Sequence, residues 1–206
     1  MHIGSQIREI TPFIEAVEIT RRLFERYQQR GFSLTTLDIG GGVGISYESD
    51  CFAEDEALLK SYGEAVSLAL KGFEGRVLCE PGRILVGRFG LLLTQVEYIK
   101  STPFKNFAIV NTGMHHNMRP ALYQAHHRIL PVINGGGSLL RYDVVGPICE
   151  SADVLGFDRM LPHLKEGDWL ALADCGAYGA VMASGYNAHK KPDEVVLWQE
   201  QVLLTE

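Results

Sequence analysis

The chain has 206 residues, 46% of them apolar and 21% charged, and carries a formal net charge of −6. That length supplies one large or two small domains with a real core. An acidic balance without a basic run gives nucleic-acid binding no electrostatic support, and no apolar run approaches the ~20 residues of a membrane-spanning helix. Met1-His2-Ile3-Gly4 opens with neither a basic nor an apolar targeting region, so no signal peptide is read. Cys51, Cys79, Cys149 and Cys175 form no CxxC pair. A zinc site or disulfide framework is therefore not expected, and reduced thiols in the cytoplasm are.

In chain order, His2 to Gln6 reads as a short strand end. Thr11-Pro12 opens a helix, with Thr11 as N-cap and Pro12 at the first helical position. Ala16, Ile19, Leu23 and Tyr27 follow at helical spacing, Phe24 widens the stripe, and Gly31 ends it. A strand from Leu34 to Ile39 runs into Gly40-Gly41-Gly42. A second helix spans about Glu54 to Lys71, with Leu59, Tyr62, Val66 and Ala69 on one face. Arg76 to Glu80 forms a further strand that stops at Pro81-Gly82. Strand, helix, strand, helix, strand is the order of parallel βαβ units.

After Arg83 the texture changes. Leu92, Thr94, Val96 and Tyr98 alternate with Leu93, Gln95 and Glu97 at a period of two. Strand-like runs follow at Phe107–Val110, Arg128–Ile133, Tyr142–Val145, Trp169–Ala173 and Glu194–Leu197. Residues 1–88 thus read as an α/β portion and residues 89–206 as an antiparallel β domain. Three parallel strands with two helices leave a sheet edge and face uncovered. We therefore expect part of the α/β domain to lie upstream or on another chain.

Candidate chemistry gathers where strands end. Glycine reaches positive φ cheaply and lets backbone N–H groups approach an anion, so Gly40–Gly42 is a plausible phosphate cradle and equally a simple turn. Glu80-Pro81-Gly82-Arg83 puts a carboxylate at a strand tip beside a tight turn, where α/β folds place ligand contacts; a turn with a surface ion pair fits as well. His115, His116, His126 and His127 flank Arg119-Pro120-Ala121-Leu122-Tyr123, but no further ligand set accompanies them, and a metal site is not expected. Gly146–Ser151 sets a thiol beside a carboxylate. Tyr178 stands between glycines, suited to a ligand hydrogen bond or to packing.

The motifs HIGSQ (His2–Gln6), IGGG (Ile39–Gly42), CEPGR (Cys79–Arg83), MRPALY (Met118–Tyr123), GPICES (Gly146–Ser151), DRMLP (Asp158–Pro162) and GAYG–SGYN (Gly176–Asn187) occur in that order. Together they resemble the diaminopimelate decarboxylases, fold-type III pyridoxal-phosphate enzymes related to ornithine and arginine decarboxylases. The resemblance implies the last strands of an alanine racemase-like, PLP-binding (β/α)8 barrel followed by a C-terminal antiparallel β domain. It implies pyridoxal 5'-phosphate as cofactor. His2 would stack on the pyridine ring, and Ser5, Gly40, Gly41, Gly42, Gly82 and Arg83 would hold the phosphate. Glu80 would pair with the ring nitrogen, a fixed carboxylate keeping it protonated. Arg83, Arg119 and Tyr123 would grip substrate carboxylate, arginine offering a bidentate fork. Glu150 would bind the distal ammonium, Cys149 would return a proton, and Tyr178 would contact the cofactor.

It further implies a small amino-acid substrate and a homodimer with shared active sites, the Cys-Glu pair reaching in from the neighbouring subunit. The family's Schiff-base lysine has no counterpart motif here, nor has its closing helix. The isolated chain is therefore expected to turn over negligibly. Asn111 and Ala152 replace the family's usual Asp and Gly, and are expected to tune the substrate pocket. Three rivals remain at this stage. One is a decarboxylase of ornithine or arginine, and another a non-catalytic truncated homologue. The third is a methyltransferase reading of Leu37–Gly44, which needs an acid at the end of the next strand followed by a helix. Glu80 lies about forty residues on and is followed by Pro81-Gly82-Arg83, and the β half has no place in that fold.

Overall fold

A computed structural model describes residues 1–133 and 136–204. The chain divides into two compact units, Met1–Arg88 and Phe89–Glu206.

In the first unit, α1 (Thr11–Gln29), β1 (Thr36–Asp38), α2 (Phe52–Ala69), β2 (Arg76–Leu78) and the one-turn α3 (Arg83–Val86) follow one another. β1 and β2 pair in parallel, Leu37 opposite Val77. This is the expected βαβ order with two strands rather than three. His2–Gln6 is not a strand. Gly4 at φ 133° and Gln6 at φ 63° break the extended repeat there. Only Ile7 bridges, in parallel, to Val43. The helix cap also differs from expectation. Ile10 is the N-cap and its carbonyl accepts the Phe13 and Ile14 amides, without any side-chain cap. Pro12 sits within the first two helical positions, where its missing N–H costs nothing.

The core of this unit contains Val17, Phe24, Leu37, Ile39 and Val66. Phe13 joins by an edge-on contact with Tyr62, ring centroids 5.0 Å apart. Of the stripe expected to face inward, Phe24 is buried and Ala16 half-buried, but Ile19, Leu23 and Tyr27 are exposed. Helix α1 has two apolar faces, and the one that packs runs through Phe13, Val17 and Phe24. The buried Asp55 carboxylate ties the far side together. It accepts Arg88 Nε at 2.7 Å, Arg8 Nη1 at 2.5 Å and the Ser46 amide at 2.9 Å. Burial raises its pKa, but the two guanidiniums and the amide together hold it below the ordinary carboxylate value.

In the second unit six strands lie in one sheet: β3 (Leu92–Ser101), β4 (Asn106–Val110), β5 (Ile129–Pro131), β6 (Leu139–Val145), β7 (Val154–Pro162) and β8 (Trp169–Leu172). Their spatial order is β5-β8-β3-β4-β6-β7. The two ends of that order, β5 and β7, also touch, so the sheet curls into a nearly closed barrel. The expected antiparallel pairing holds throughout except between β4 and β6, which run parallel. Val96, Val110, Tyr142, Val144, Leu155, Leu161, Leu170 and Leu172 fill the interior. A bulge in β3 between Val96 and Tyr98 breaks the alternation. Tyr98 thereby lies exposed and Ile99 packs inward. A short helix, α4 (Arg119–Tyr123), packs on β7. The remaining strands, β9 (Val195–Trp198) and β10 (Gln201–Leu204), form a separate antiparallel hairpin.

Candidate functional site

The glycine turn is where the first unit's chain segments converge. Gly40 and Gly42 have φ of 71° and 99°. A Cβ on Gly40 would lie 2.0 Å from the Met1 carbonyl oxygen and 3.8 Å from His2 Cα. One on Gly41 would lie 2.0 Å from the Glu80 carbonyl oxygen, and one on Gly42 2.3 Å from that of Gly4. No side chain fits at any of the three. Hydrogen bonds fix the same meeting. Glu80 N–H donates to Gly40 O at 2.7 Å, Gly40 N–H to Asp38 Oδ1 at 2.7 Å, and Ile7 N–H to Gly42 O at 3.0 Å. Among the described residues, the amides of Gly41 and Gly42 make no hydrogen bond.

The turn therefore sets the His2 backbone, the Gly4-Ser5 segment and the Glu80–Gly82 segment around one point. Arg83 closes the group. Its Nη2 donates to Ser5 Oγ at 3.0 Å and its Nη1 to the buried Tyr47 hydroxyl at 2.5 Å, with the guanidinium 5.7 Å from the Tyr47 ring centroid. His2, Ser5, Glu80 and Gly82 are exposed. Among the described residues the Glu80 carboxylate has no hydrogen-bond or ion-pair partner. All the predicted cofactor-binding positions of this unit are thus brought together. Tyr47 belongs with them, and no sequence signal singled it out.

The second unit holds the other predicted residues on three turns. The first is α4. Arg119 is buried, and Tyr123, one turn further along, is 61% exposed. Arg119 Nη1 donates to His127 Nε2 at 2.8 Å, and His127 Nδ1 faces the Ala173 carbonyl at 2.9 Å. A carbonyl can only accept and a guanidinium can only donate. His127 is therefore the neutral Nδ1–H tautomer, and burial depresses its pKa to about 4. Burial likewise pushes the Cys175 thiol, 3.7 Å from His127 Nδ1, up to about 12.

The second turn carries Cys149 and Glu150, both exposed, above the buried Ile148. It is held from beneath by Asp153. One carboxylate oxygen accepts the Met114 amide at 2.6 Å and the other the Ile148 amide at 2.7 Å. Gly113 and Gly146 flank it, and a Cβ on either would lie within 2.6 Å of both its oxygens. Burial raises the Asp153 pKa, and the two amides oppose that shift. The Asp153 role escaped the sequence, although it stands four residues after Cys149. Glu150 Oε1 accepts the Tyr186 hydroxyl at 2.6 Å, a second contact that the motif spacing did not disclose.

The third turn holds Tyr178, at φ 61° and 44% exposed. Gly179 behind it has no room for a side chain, a Cβ there lying 2.4 Å from the Cys175 carbonyl oxygen. Asn111 and Ala152 take unremarked structural places. Asn111 Oδ1 accepts Thr94 Oγ1 at 2.9 Å and the Gln95 amide at 3.0 Å, a task an aspartate would also perform. Ala152 is exposed and its φ is not positive, so no glycine is required. The four loop histidines part company. His127 supports Arg119, His126 meets Arg159, and His116 bonds Thr112 and Lys190. His115 is 1% exposed against His116 and His189.

Comparison with known proteins bears on the whole arrangement. Residues 1–87 match the pyridoxal binding domain of the pyridoxal-dependent decarboxylases, and residues 85–176 match their C-terminal sheet domain. The chain belongs to the pyridoxal-dependent decarboxylases. It is 39% identical over 203 residues to a diaminopimelate decarboxylase of Aquifex aeolicus, covering 98% of this chain and 48% of the relative. It is 43% identical over 200 residues to the diaminopimelate decarboxylase of Pseudomonas aeruginosa, covering 97% and 47%. The crystal structure of the Helicobacter pylori diaminopimelate decarboxylase complexed with L-lysine superposes with a TM-score of 0.88 at 37% identity, over 98% of this chain and 49% of that one. The chain spans about half the length of the curated relatives it matches. The family's cofactor is pyridoxal phosphate. No helix among the described residues is long and apolar enough to cross a membrane.

Proposed function

We propose that this chain is part of an enzyme that decarboxylates meso-2,6-diaminopimelate to L-lysine in the cytoplasm. The observation that carries the cofactor side is the glycine turn. Its three glycines abut the segments bearing His2, Ser5 and Glu80 through backbone contacts alone, and Arg83 reaches Ser5. These residues fit pyridoxal phosphate. The amides of Gly41 and Gly42 together with Ser5, Gly82 and Arg83 would hold its phosphate, and His2 would lie on the ring. Glu80, exposed and without a partner among the described residues, is available to the ring nitrogen. When bound, the cofactor supplies the electron sink for the pair left by loss of CO2.

The chain's own residues do the rest. Arg119 donates to a neutral histidine, which orients its guanidinium, and that planar fork is proposed to grip a substrate carboxylate. Arg83 and Tyr123 are proposed to share that carboxylate recognition, and Tyr178 to contact the cofactor. Glu150 would take the distal ammonium, and Cys149 would return the proton at the α-carbon. In a homodimer with shared active sites, Cys149 and Glu150 would serve the neighbouring subunit. The cofactor lysine would come from a segment outside residues 1–206.

The test is CO2 release with pyridoxal phosphate present, from meso-diaminopimelate, ornithine and arginine. The assay would use the chain alone and the chain joined by an N-terminal half from a relative. We expect turnover only in the joined sample and only with diaminopimelate. Equal release from ornithine would overturn the substrate assignment. Robust release by the chain alone would overturn the placement of the lysine.

A further inference from the structure

Tyr186 sits on a loop that is clamped at both ends by one dipeptide. The Ser184 amide donates to the His115 carbonyl at 2.8 Å. At the other end His116 Nε2 lies 2.7 Å from the Lys190 carbonyl, so it carries the proton there. His116 Nδ1 is 2.6 Å from Thr112 Oγ1 and accepts from it. The His189 ring lies against the buried His115 ring, centroids 4.6 Å apart and planes tilted by 44°. Between the clamps, Asn187 and Ala188 are both left-handed, at φ 53° and 62°. Two consecutive non-glycine residues in that region hold strain that the clamps must offset. The Ala188 amide to the Gly185 carbonyl, 3.1 Å, closes the turn at its crown. From that crown the Tyr186 hydroxyl donates to Glu150 Oε1 at 2.6 Å.

We infer that Tyr186 is a positioning residue for substrate specificity: its hydroxyl fixes the plane of the Glu150 carboxylate, so that Oε2 is presented to the distal ammonium of the substrate. The inference rests on the proposed role of Glu150. An exposed glutamate has several rotamers, and ordering it on binding costs affinity. A carboxylate already held by a charge-assisted hydrogen bond meets an ammonium without that cost. Glu150 in turn keeps the phenol protonated, since the hydrogen bond raises the Tyr186 pKa above its ordinary value. The donor therefore persists across the working range of pH.

The test uses the assembled holoenzyme and the substitutions Tyr186→Phe and Glu150→Gln. Calorimetric titration would measure Kd for L-lysine, whose α-ammonium is the group that decarboxylation leaves at the distal end, and for 6-aminohexanoate, which has the same chain, carboxylate and ε-amine without it. Steady-state assays would give KM and kcat for diaminopimelate. We expect Tyr186→Phe to weaken L-lysine about tenfold while leaving 6-aminohexanoate within twofold. We also expect its effect on turnover to fall on KM rather than kcat. Loosening of both ligands alike, or of neither, would overturn the inference. Glu150→Gln should abolish the preference for L-lysine over 6-aminohexanoate. If that preference survives, the ammonium role of Glu150 is wrong, and the role of Tyr186 falls with it.

Discussion

His127 Nε2 lies 2.8 Å from Arg119 Nη1, a neutral imidazole accepting from a buried cation. Protonating His127 would set two positive charges against each other with no water between them. Its folded pKa is about 4 against 6.5 when unfolded, and His115 shows the same depression for the same first cause, burial. The unfolded chain thus binds more protons between those values. The two imidazoles contribute stability that is complete above pH 6.5 and is lost as the pH falls toward 4. The slope reaches at most roughly 1.4 kcal/mol per pH unit for each. Denaturant midpoints across that range should fall steadily, and less so in His127→Gln. Asp153, whose pKa is raised, acts in the opposite sense nearer the carboxylate range. A midpoint independent of pH from 6.5 to 4 would contradict this account.

Gly41→Ala should destabilise the protein by about 3 kcal/mol or more, since its Cβ would stand 2.0 Å from the Glu80 carbonyl and backbone must move. Gly82→Ala is the matched comparison. Its Cβ would meet nothing within 4 Å, and its φ of −101° suits any residue. Thermal unfolding of both variants should separate them clearly.

Asp153→Asn keeps one acceptor oxygen but turns an NH2 group toward the other amide. A buried amide left unsatisfied costs roughly 1–3 kcal/mol. Amide hydrogen exchange should therefore accelerate at Met114 or Ile148, with the fold otherwise retained. Unchanged exchange at both positions would mean that the carboxylate is not what holds the turn of Cys149 and Glu150.

Asp55→Ala should cost about 3–5 kcal/mol, because Arg8 and Arg88 lose their shared carboxylate, and Arg88 is itself 7% exposed on its side chain. A urea denaturation series would measure this directly.

Much of this was legible in the sequence, for identifiable reasons. The strand-glycine turn, the CEPGR segment and the change of texture after Arg83 are local patterns. The structure ends β1 at Asp38 and β2 at Leu78, one and two residues short of the reading, because backbone geometry at a glycine or a strand end is set within a few residues. The α1 stripe was misread because Ile19, Leu23 and Tyr27 have the same periodicity as Phe13, Val17 and Phe24. Spacing alone does not say which apolar face a helix buries. The β3 bulge defeated a strict period of two at Tyr98. Tyr47, His127, Asp153 and Tyr186 were missed because each acts on a residue distant in the chain. Tyr186 and Glu150 are 36 residues apart, and no single-sequence pattern encodes that meeting.

The glycine turn has one further implication. Its three neighbours are main-chain carbonyls, so the gaps around it are set by atoms that every amino acid shares. Met1 and Glu80 could exchange their side chains through drift, and the spacing of the turn would persist. The dimension of this part of the fold is thus insulated from substitution at Met1 and Glu80, whereas at the turn itself even one added methyl group is too many, and Gly4 is bound by its φ of 133°.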